Sequence, residues 1–526
     1  MDSTATAQIR CLGDIVRVHS AVQGDATAVE CAGRALTFAE LYGRARAVAG
    51  ALAGSGVSAQ DRVALIERNG IEALEVIFGA ALLNAVVVNV NWRLAPPEIL
   101  QIVEDAQARV VLVGAELVGA VEAIEDELGD KTEIIAFGGH DRWEPYEGWL
   151  GRHQPADPGA VAAPGDVAFQ LYTSGTTGLP KGVMLTTSNL MKTFPLAGEI
   201  WGFVPGQSVN LALMPMFHIA GLGWAAVGLY FGCRTVILRD VVPAEILRVL
   251  SEEGITDAFM VPAVIQMLLQ TPGVETADFG SLRQLVYGAS PISAVVLERA
   301  ISVMGCDFVQ VYGLTETTGA ITELRAADHD PANRSGLLRS CGKPYPWVEL
   351  RIVDAASGED VPTGQVGELW TRGPNNMAGY WNNPAATAAA VTAEGWFRTG
   401  DAGYFDEEGF VYLHDRVKDM IVTGGENVYP AEVENALMRH PAVVDVAVIG
   451  VPDERWGEAV KAVVVAAPGG TPDPEELIRF CHDHLAGYKC PKSVDFAEVL
   501  PRNPSGKLLK RELRAPYWEG SGRQVG

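Results

Sequence analysis

The chain has 526 residues, too many for one ordinary domain; at roughly 150 residues per domain, about three compact units are expected. With 48% hydrophobic and 20% charged residues, the composition is that of a globular protein and excludes disorder as the main state. The 65 acidic and 40 basic residues give a formal net charge of −25, which disfavours binding to nucleic acid and to anionic membrane surfaces.

The cysteines and the apolar runs indicate the cellular compartment in which the protein is expected. The seven cysteines are scattered and form no Cys-x-x-Cys pair, so neither a disulfide framework nor a cysteine zinc site is predicted. The first residues lack the basic and apolar regions of a signal peptide. The most apolar run, residues 76–88, is interrupted by Asn84 and is shorter than the ~18 residues of a membrane span, so we expect a buried helix that passes into a strand. These features predict a cytoplasmic protein with no integral span, and they leave peripheral membrane association open.

Short β-branched runs alternate with helical segments from residue 63 to residue 312. This alternation predicts parallel sheets flanked by helices, which bind ligands at the carboxyl ends of their strands. The predicted strands are residues 63–66, 85–90, 109–113, 133–136, 167–172, 235–238, 258–261, 284–287 and 308–312.

The pattern changes twice in the second half of the chain. From about Pro344 the runs VELRIVD, GELWTRG and GFVYLHDR, separated by Gly and Asp turns, predict a smaller antiparallel barrel or sheet. After Arg416 a further α+β unit is expected, which is long enough to fold independently. The predicted architecture is therefore α/β: an N-terminal domain (1–416) of two α/β subdomains and a small β-barrel-like subdomain, followed by a small C-terminal domain (417–526).

A loop rich in glycine and hydroxyl groups follows the strand predicted at 167–172. Its sequence, residues 172–182, is YTSGTTGLPKG. Backbone N–H groups at glycines, hydroxyls and an ammonium group are the donors that bind phosphate. The loop is not a Walker A motif, because Pro180 stands where the second Gly is required. The predicted phosphate-binding residues are Thr173, Ser174, Gly175, Thr176, Thr177, Gly178 and Lys181.

This loop resembles, at nearly every position, that of the adenylate-forming superfamily, which contains acyl-CoA synthetases, peptide-synthetase adenylation domains and beetle luciferases. The resemblance covers essentially the whole chain, and further family motifs follow in the family's order. It implies an AMP-dependent acyl-CoA synthetase of the fatty-acid–CoA ligase type, in which a small mobile C-terminal domain swings against a large N-terminal domain that binds ATP and the acyl substrate.

The segment QVYGLTETTG, residues 310–319, places Thr315 and Glu316 where a strand ends. A carboxylate there can bind Mg²⁺, which prefers oxygen ligands shared with substrate phosphates; a helix N-cap with an acidic residue is the alternative. The resemblance implies that Glu316 and Thr173 hold Mg²⁺, that Thr315 contacts phosphate and that Tyr312 stacks on adenine. The other nucleotide-binding positions that it implies are Gly288, Ala289, Ser290, Gln310, Val311 and Gly313.

Two charged residues are expected at the ribose. Asp401, in WFRTGD, and Arg416, in HDR, are both predicted to end barrel-like strands, and a carboxylate and a guanidinium can bind vicinal hydroxyls. They resemble the family's ribose-binding pair. Without the other motifs, Gly400-Asp401 would be an ordinary turn, and here the turn and the ligand role are compatible.

The C-terminal unit carries the family's second set of motifs. Lys507, in PRNPSGKLLKR, resembles the lysine that contacts the carboxylate and the α-phosphate during adenylation; a solvated basic tail is the alternative. Lys418 matches the hinge, and Gly424, Gly425 and Glu426 match the wall of a tunnel for the pantetheine of CoA. Cys481-His-Asp-His484 is not expected to bind metal, because consecutive helical residues point to different faces.

The acyl pocket is predicted around PMFHIAG, residues 215–221. The resemblance places His218 beside the substrate carboxylate as an aromatic gate, and a structural histidine is the alternative. An amino-acid adenylation domain carries an acidic residue at this position, so amino acids are disfavoured as substrates. The small or apolar neighbours predict a hydrocarbon or aryl acyl group; they are Ala220, Gly221, Leu222, Gly223, Trp224, Ala225, Ala289, Gly313 and Leu314.

The expected activity is a two-step ligation that consumes ATP, a carboxylic acid and CoA, with Mg²⁺ as cofactor and Lys507, Thr173, Glu316 and His218 as catalytic residues. Three rivals remain: an adenylase that loads a carrier protein in trans, a luciferase-like monooxygenase and an inactive nucleotide-binding relative. The presence of Lys181, Glu316 and Lys507 argues against the inactive relative. The family contains monomers and dimers, so homodimer formation stays open.

Overall fold

A computed structural model describes residues 5–129, 132–174, 180–416, 421–423, 426–428, 430–453, 455–468, 470, 472–502 and 508–518. Within these ranges, the side chains of residues 174, 414–416, 422, 426–427 and 457 are not described. The fold consists of helices layered on two large sheets, followed by two smaller sheets.

The strands are, in chain order, β1 (Thr27–Cys31), β2 (Arg34–Thr37), β3 (Arg62–Ile66), β4 (Val86–Asn89), β5 (Val110–Val113), β6 (Glu133–Ala136), β7 (Glu144–Pro145), β8 (Val167–Ser174), β9 (Pro180–Thr186), β10 (Val209–Ala212), β11 (Arg234–Ile237), β12 (Asp257–Met260), β13 (Gln284–Gly288), β14 (Asp307–Leu314), β15 (Gly319–Leu324), β16 (Lys343–Pro344), β17 (Glu349–Val353), β18 (Gly367–Arg372), β19 (Gly379–Tyr380), β20 (Phe397–Phe405), β21 (Val411–Arg416), β22 (Ile421–Thr423), β23 (Glu426–Val428), β24 (Val443–Asp453), β25 (Gly457–Ala466) and β26 (Ser493–Phe496).

The α-helices are α1 (Leu12–Gln23), α2 (Phe38–Gly54), α3 (Ile71–Leu82), α4 (Pro96–Ala106), α5 (Val118–Glu122), α6 (Glu125–Leu128), α7 (Tyr146–Gly151), α8 (Thr187–Trp201), α9 (Ile219–Tyr230), α10 (Pro243–Glu252), α11 (Pro262–Leu269), α12 (Ala294–Met304), α13 (Pro384–Ala390), α14 (Pro430–Leu437), α15 (Pro474–His482) and α16 (Lys510–Trp518).

The two large sheets confirm the predicted α/β organisation. One has the order β16-β15-β14-β13-β12-β10-β11-β1-β2, and the other has the order β19-β9-β8-β4-β3-β5-β6-β7. The pairs from β14 to β1 and from β8 to β7 are parallel, as the alternation of strands and helices predicts. Each predicted strand is found within two residues of its expected limits. The parallel strands place their carboxyl ends on one edge of each sheet, and Thr173, Gly288 and Thr315 lie at or directly after such ends.

The small unit that follows is an open antiparallel sheet with the order β17-β18-β20-β21. The next unit is a sheet of β23-β22-β25-β24, with β26 paired to β25 and with α14, α15 and α16 around it. It has apolar clusters of its own, which pack on both sides of β24 and β25. The boundary expected near Arg416 therefore coincides with the end of β21.

The apolar run at residues 76–88 forms the end of α3 and the start of β4, as predicted. Asn84 lies between them with φ of +55°, so it terminates the helix where a longer apolar helix would otherwise continue. No helix in the described part of the chain is both long and apolar enough to cross a membrane. All seven cysteines fall within the described ranges and are free thiols.

Candidate active site

The phosphate loop is the connection of an antiparallel hairpin formed by β8 and β9. Thr173 on β8 pairs with Lys181 on β9, so their side chains share one face of the sheet. A Cβ at Gly182 would lie 3.0 Å from Cζ of Tyr172 and 2.9 Å from Nε2 of Gln170, so a larger residue there would require these side chains to shift. The side chain of Ser174 and the residues Gly175, Thr176, Thr177 and Gly178 lie outside the described residues.

Glu316 lies in a single 3₁₀ turn, Thr315–Thr317, directly after β14. The turn is held by Thr317, whose hydroxyl accepts a 2.9 Å hydrogen bond from the backbone N–H of Leu314. Thr315 and Glu316 do not cap a helix, so their side chains are left for other partners at the carboxyl edge of the sheet. Thr315 and Glu316 therefore lie at the end of a strand, as the sequence predicts.

Tyr380 joins the phosphate loop to Glu316. Its hydroxyl donates a 3.0 Å hydrogen bond to Oε1 of Glu316, and Nζ of Lys181 lies over its ring, 5.1 Å from the centroid. Burial, followed by the charge of Glu316, raises the pKa of Tyr380, so the phenol stays protonated and acts as the donor. Lys181 and Glu316 are separated by 135 positions in the sequence, and both contact the side chain of Tyr380.

The segment that carries Tyr380 is tied to both neighbours through the backbone. The N–H of Trp381 donates to the carbonyl of Gly182 at 2.7 Å, and the N–H of Met377 donates to the carbonyl of Glu316 at 2.8 Å. Asn375 adds a 3.0 Å bond from Nδ2 to the carbonyl of Thr317. Neither Tyr380 nor Asn375 was predicted from the sequence; the signal there was the run NNMAGYWNN, residues 375–383, whose aromatic and amide side chains are of the types that line polar ligand sites.

Asp401, which is expected to bind the ribose, contacts Tyr312, which is expected to stack on adenine. The hydroxyl of Tyr312 donates a 2.7 Å hydrogen bond to Oδ2 of Asp401. Burial, followed by the charge of Asp401, raises the pKa of Tyr312 well above its usual value, so the phenol is neutral. The partner expected of Asp401, Arg416, is its cross-strand neighbour on β21, although its side chain is not described.

The local structure at Asp401 differs from the prediction. Asp401 does not end a strand, and Gly400-Asp401 is not a turn, because both residues lie inside β20. Gly400 has φ of +71° where the pairing of β18 with β20 changes register. A Gly-Asp pair marks a turn when the chain reverses; here it marks a bulge, because β20 continues to pair with β21 beyond it.

Close backbone approaches shape the part of the site where adenine is predicted to bind. A Cβ at Gly288 would lie 2.2 Å from the carbonyl oxygen of Val311, and one at Gly313 would lie 1.9 Å from that of Gly319. Ala289 is exposed and has φ of +69°, in the left-handed region that turns the chain sharply after β13. The predicted nucleotide-binding residues Gly288, Ala289, Ser290, Gln310, Val311, Tyr312, Gly313 and Thr315 therefore lie at the ends of two adjacent strands.

His218 is the N-cap residue of α9, and Phe217 precedes it with a ring-centroid distance of 4.5 Å. Burial, followed by the charge of Arg93, lowers the pKa of His218 to about 4, so the imidazole is neutral at physiological pH. Its Nε2 has no hydrogen-bond partner among the described residues and is available to a ligand.

The loop before His218 is fixed by Asn69, which sequence analysis missed. Its Nδ2 donates to the carbonyl of Met214 at 3.0 Å, and its Oδ1 accepts from the N–H of Met216 at 2.9 Å. Asn69 follows β3 of the other large sheet, so the loop is held between the two sheets. No spacing in the sequence relates residue 69 to residue 216.

The other predicted pocket residues surround the start of α9. A Cβ at Gly221 would lie 2.3 Å from the carbonyl oxygens of Met214 and Pro215, so glycine is required there. Trp224 is buried against Trp201, at 5.2 Å between ring centroids, and Phe203, at 5.3 Å. Ile219 lies near Gly319, which pairs with Leu314 across β14 and β15. His218, Gly221, Gly313 and Leu314 therefore belong to one region, between α9 and the end of β14.

The residues present fit a magnesium ion that is carried by substrate phosphates. The described part of the chain holds no group of three His, Cys, Asp or Glu side chains that could bind a metal. Glu316 is instead a half-buried carboxylate that accepts a hydrogen bond from Tyr380, the residue whose ring faces Lys181. One carboxylate together with phosphate oxygens is the usual ligand set of Mg²⁺ at nucleotide sites.

The remaining predictions lie in the C-terminal unit. Lys418, Gly424, Gly425 and Lys507 lie outside the described residues, and Glu426 is described only as part of the backbone of β23. Cys481 is buried at the end of α15, whereas His482 is exposed, so consecutive residues point to different surroundings, as predicted.

Comparisons with known proteins assign both parts of the chain to the same enzyme family. The model of the AMP-binding enzyme family matches residues 16–381, and that of the AMP-binding enzyme C-terminal domain matches residues 432–507. The fatty acid–[acyl-carrier-protein] ligase ScoC of Streptomyces coeruleorubidus is 40% identical over 100% of both chains. The feruloyl-CoA synthase of an Amycolatopsis species is 39% identical over 94% of this chain and 96% of its own. The crystal structure of ATP-bound MatB from Rhodopseudomonas palustris superimposes with a TM-score of 0.88 at 31% identity, covering 98% of this chain and 100% of that one.

Proposed function

The chain belongs to the AMP-binding enzyme family and is an AMP-forming acid–thiol ligase, and from this premise we propose that it joins a fatty, alicyclic or aryl carboxylic acid to CoA. The observation that supports this most strongly is the meeting of Lys181 and Glu316 at Tyr380. This arrangement supports a site for Mg²⁺ and phosphate, because Lys181 supplies a cation and Glu316 a carboxylate.

The reaction has two steps. A carboxylate oxygen attacks the α-phosphorus of ATP, the bond to the bridging oxygen breaks, and acyl-AMP and pyrophosphate form. The CoA thiolate then attacks the acyl carbon, the carbon–oxygen bond to AMP breaks, and acyl-CoA and AMP leave. Neither step needs a covalent enzyme intermediate, so the protein contributes positioning and electrostatic stabilisation.

The role that we propose for each residue in nucleotide binding follows from the position of that residue in the fold. Thr173 and Lys181 bind phosphate oxygens from one face of the hairpin, because they are cross-strand neighbours. Asp401 accepts hydrogen bonds from the ribose hydroxyls with Arg416 beside it, and Tyr312 orients that carboxylate. Each contact fixes ATP so that the α-phosphorus faces the acyl site.

Glu316 and Thr173 are proposed to hold Mg²⁺. Mg²⁺ held by these two residues would supply positive charge that offsets the charge of the substrate phosphates. Lys181 shares that task, and its ammonium lies close enough to Tyr380 to be kept near Glu316. Lys507 is proposed to bring a further positive charge to the carboxylate and the α-phosphate.

The acyl site is proposed to take an uncharged group. His218 is neutral near pH 7 and its Nε2 has no hydrogen-bond partner among the described residues, while Trp224 and Phe203 are buried and Trp201 is half-buried beside them. Position 218, where an ammonium group would need an acidic side chain, carries this neutral histidine, so fatty and aryl acids are favoured over amino acids.

The second step is assigned to a rearrangement of the C-terminal unit. We place the domain limits at 1–416 and 417–526, with Lys418 as the hinge and with Gly424, Gly425 and Glu426 along the pantetheine path. The limit is supported by the end of β21 and by the separate apolar clusters on β24 and β25. The seven free thiols support a reducing cytoplasm as the compartment.

A carrier protein is the second candidate for the thiol. The support is specific: one relative, which matches over both full lengths, is named as a ligase for an acyl-carrier protein. Both candidates use phosphopantetheine thiols and the same adenylating residues, so they differ only in the acceptor.

The decisive experiment measures pyrophosphate release with ATP, Mg²⁺ and a panel of fatty, alicyclic and aryl acids. Each acid is assayed alone, with CoA and with a phosphopantetheinylated carrier protein. CoA-dependent formation of acyl-CoA and AMP is the expected result. Transfer to the carrier with no transfer to CoA would support the second candidate, and no adenylation of any acid would contradict the proposed function.

A further inference from the structure

We infer that Tyr380 is a positioning residue for the metal and phosphate site: its hydroxyl orients the carboxylate of Glu316, and its ring separately holds the ammonium group of Lys181. The inference rests on the proposed function for the identity of the nucleotide. It adds a residue that does not touch substrate but sets the relative positions of two residues that do.

Tyr380 is itself held rigidly. It is 9% exposed, and its backbone pairs with Val183 in the short ladder of β19 and β9. Its N–H donates to Oγ1 of Thr387 at 2.9 Å, and its carbonyl accepts from the N–H of Asn383 at 3.2 Å. Because main chain and ring are both fixed, the hydroxyl can define the direction of the Glu316 side chain.

The two contacts of Tyr380 differ in chemistry and can be separated. The hydrogen bond to Glu316 needs the hydroxyl, whereas the attraction of Lys181 to the ring face needs only the aromatic ring at a distance within about 6 Å. Tyr380→Phe removes the first contact and keeps the second. Tyr380→Leu removes both contacts.

Loss of the Tyr380 hydroxyl should therefore affect the affinity for Mg²⁺·ATP differently from the affinity for metal-free ATP. A Glu316 carboxylate without the Tyr380 hydrogen bond is held by one contact fewer in the orientation described here, so the site should bind Mg²⁺·ATP less tightly. Metal-free ATP does not use Glu316, and its binding should depend on Lys181 and on the ring. Loss of one hydrogen bond to a charged group is worth about tenfold in a binding constant.

The test is isothermal titration calorimetry of ATP with the full-length chain, in excess Mg²⁺ and in EDTA. Tyr380→Phe is expected to weaken binding in Mg²⁺ about tenfold and to leave binding in EDTA unchanged. Tyr380→Leu is expected to weaken both. Tyr42→Phe is the matched control, because Tyr42 donates a 2.8 Å bond to Asp157 and takes no part in the proposed site.

A second comparison separates positioning from a general structural role. In a Glu316→Gln background, Tyr380→Phe should have no further effect on Mg²⁺-dependent binding, because the charged group that it orients is gone. Equal losses in Mg²⁺ and EDTA, no loss in either, or an undiminished effect in the Glu316→Gln background would each overturn the inference. A wild-type chain that binds no ATP would instead contradict the proposed function, and the inference with it.

Discussion

The hydroxyl of Tyr312 donates a 2.7 Å hydrogen bond to Oδ2 of Asp401, and this bond links a strand of the nine-stranded sheet to a strand of the small antiparallel sheet. Tyr312 is 8% exposed, so little water competes for the bond. The carboxylate proposed to bind ribose is therefore oriented by the residue proposed to lie at adenine. Two parts of the nucleotide site, 89 residues apart in the chain, are set by one contact.

Removing that bond should weaken ATP binding without abolishing activity. Tyr312→Phe is expected to raise the KM for ATP by about three- to tenfold, the cost of one hydrogen bond to a charged group, with a smaller change in kcat. Asp401→Asn should raise it further. Tyr230→Phe is a suitable control, because its hydroxyl donates a 3.4 Å hydrogen bond to the carbonyl of Thr6, which is not a proposed site residue. An unchanged KM in both site variants would show that Asp401 does not bind ATP.

Lys507 should act in the first half-reaction only. Lys507→Ala is expected to reduce acyl-AMP formation by at least about a hundredfold, because a preorganised charge at the α-phosphate is lost. Transfer of a supplied acyl-AMP to CoA should change little. Lys492→Ala removes an exposed charge from the same unit and should leave both steps intact. Equal losses in both half-reactions for Lys507→Ala would contradict the assigned role.

Gly313 should not tolerate a side chain. Its added Cβ would lie 1.9 Å from the carbonyl oxygen of Gly319, so Gly313→Ala must push β14 and β15 apart and should cost about 2–4 kcal/mol of stability. In Gly223→Ala the nearest atom is Cδ1 of Ile219 at 3.4 Å, an ordinary contact. Differential scanning calorimetry should show a lowered Tm for the first variant only. A Gly313→Ala chain as stable as wild type would contradict the described strand spacing.

His218 should make the fold sensitive to acid. The unfolded side chain has a pKa near 6.5, and the folded one is lowered to about 4. Below pH 6.5 the unfolded state therefore binds more protons, so the stability that His218 contributes is present above pH 6.5 and is lost as the pH falls toward 4.

The measurement is urea unfolding at pH 7.5 and pH 5 for wild type and for His218→Phe, which cannot titrate. Between pH 7.5 and pH 5, the free energy of unfolding should fall by about 1 kcal/mol more for wild type than for the variant. This figure allows for partial exposure of the imidazole. His19 and His329, whose pKa values are also lowered by burial, remain in both chains and provide a common background. The same loss in both chains would show that His218 titrates normally.

Much of this protein is determined by the sequence alone. The strand positions follow from short apolar runs, because a parallel strand buried on both faces needs continuous β-branched residues. The prediction of a phosphate loop rests on the spacing of glycine, hydroxyl and lysine residues, and the place of Glu316 directly after β14 follows from the end of the apolar run before it. These features depend on neighbours in the chain, so they can be found without a fold.

The tertiary structure alone decided which distant side chains meet. Tyr380 reaches Glu316 across 64 residues, and Asn69 reaches Met216 across 147. The position of Asp401 inside β20 depended on its pairing with β21 beyond a bulge, where local sequence favoured a turn. Such contacts are fixed by the register and order of strands in the sheets, which arise from packing of the whole core and leave no periodic signal in the sequence.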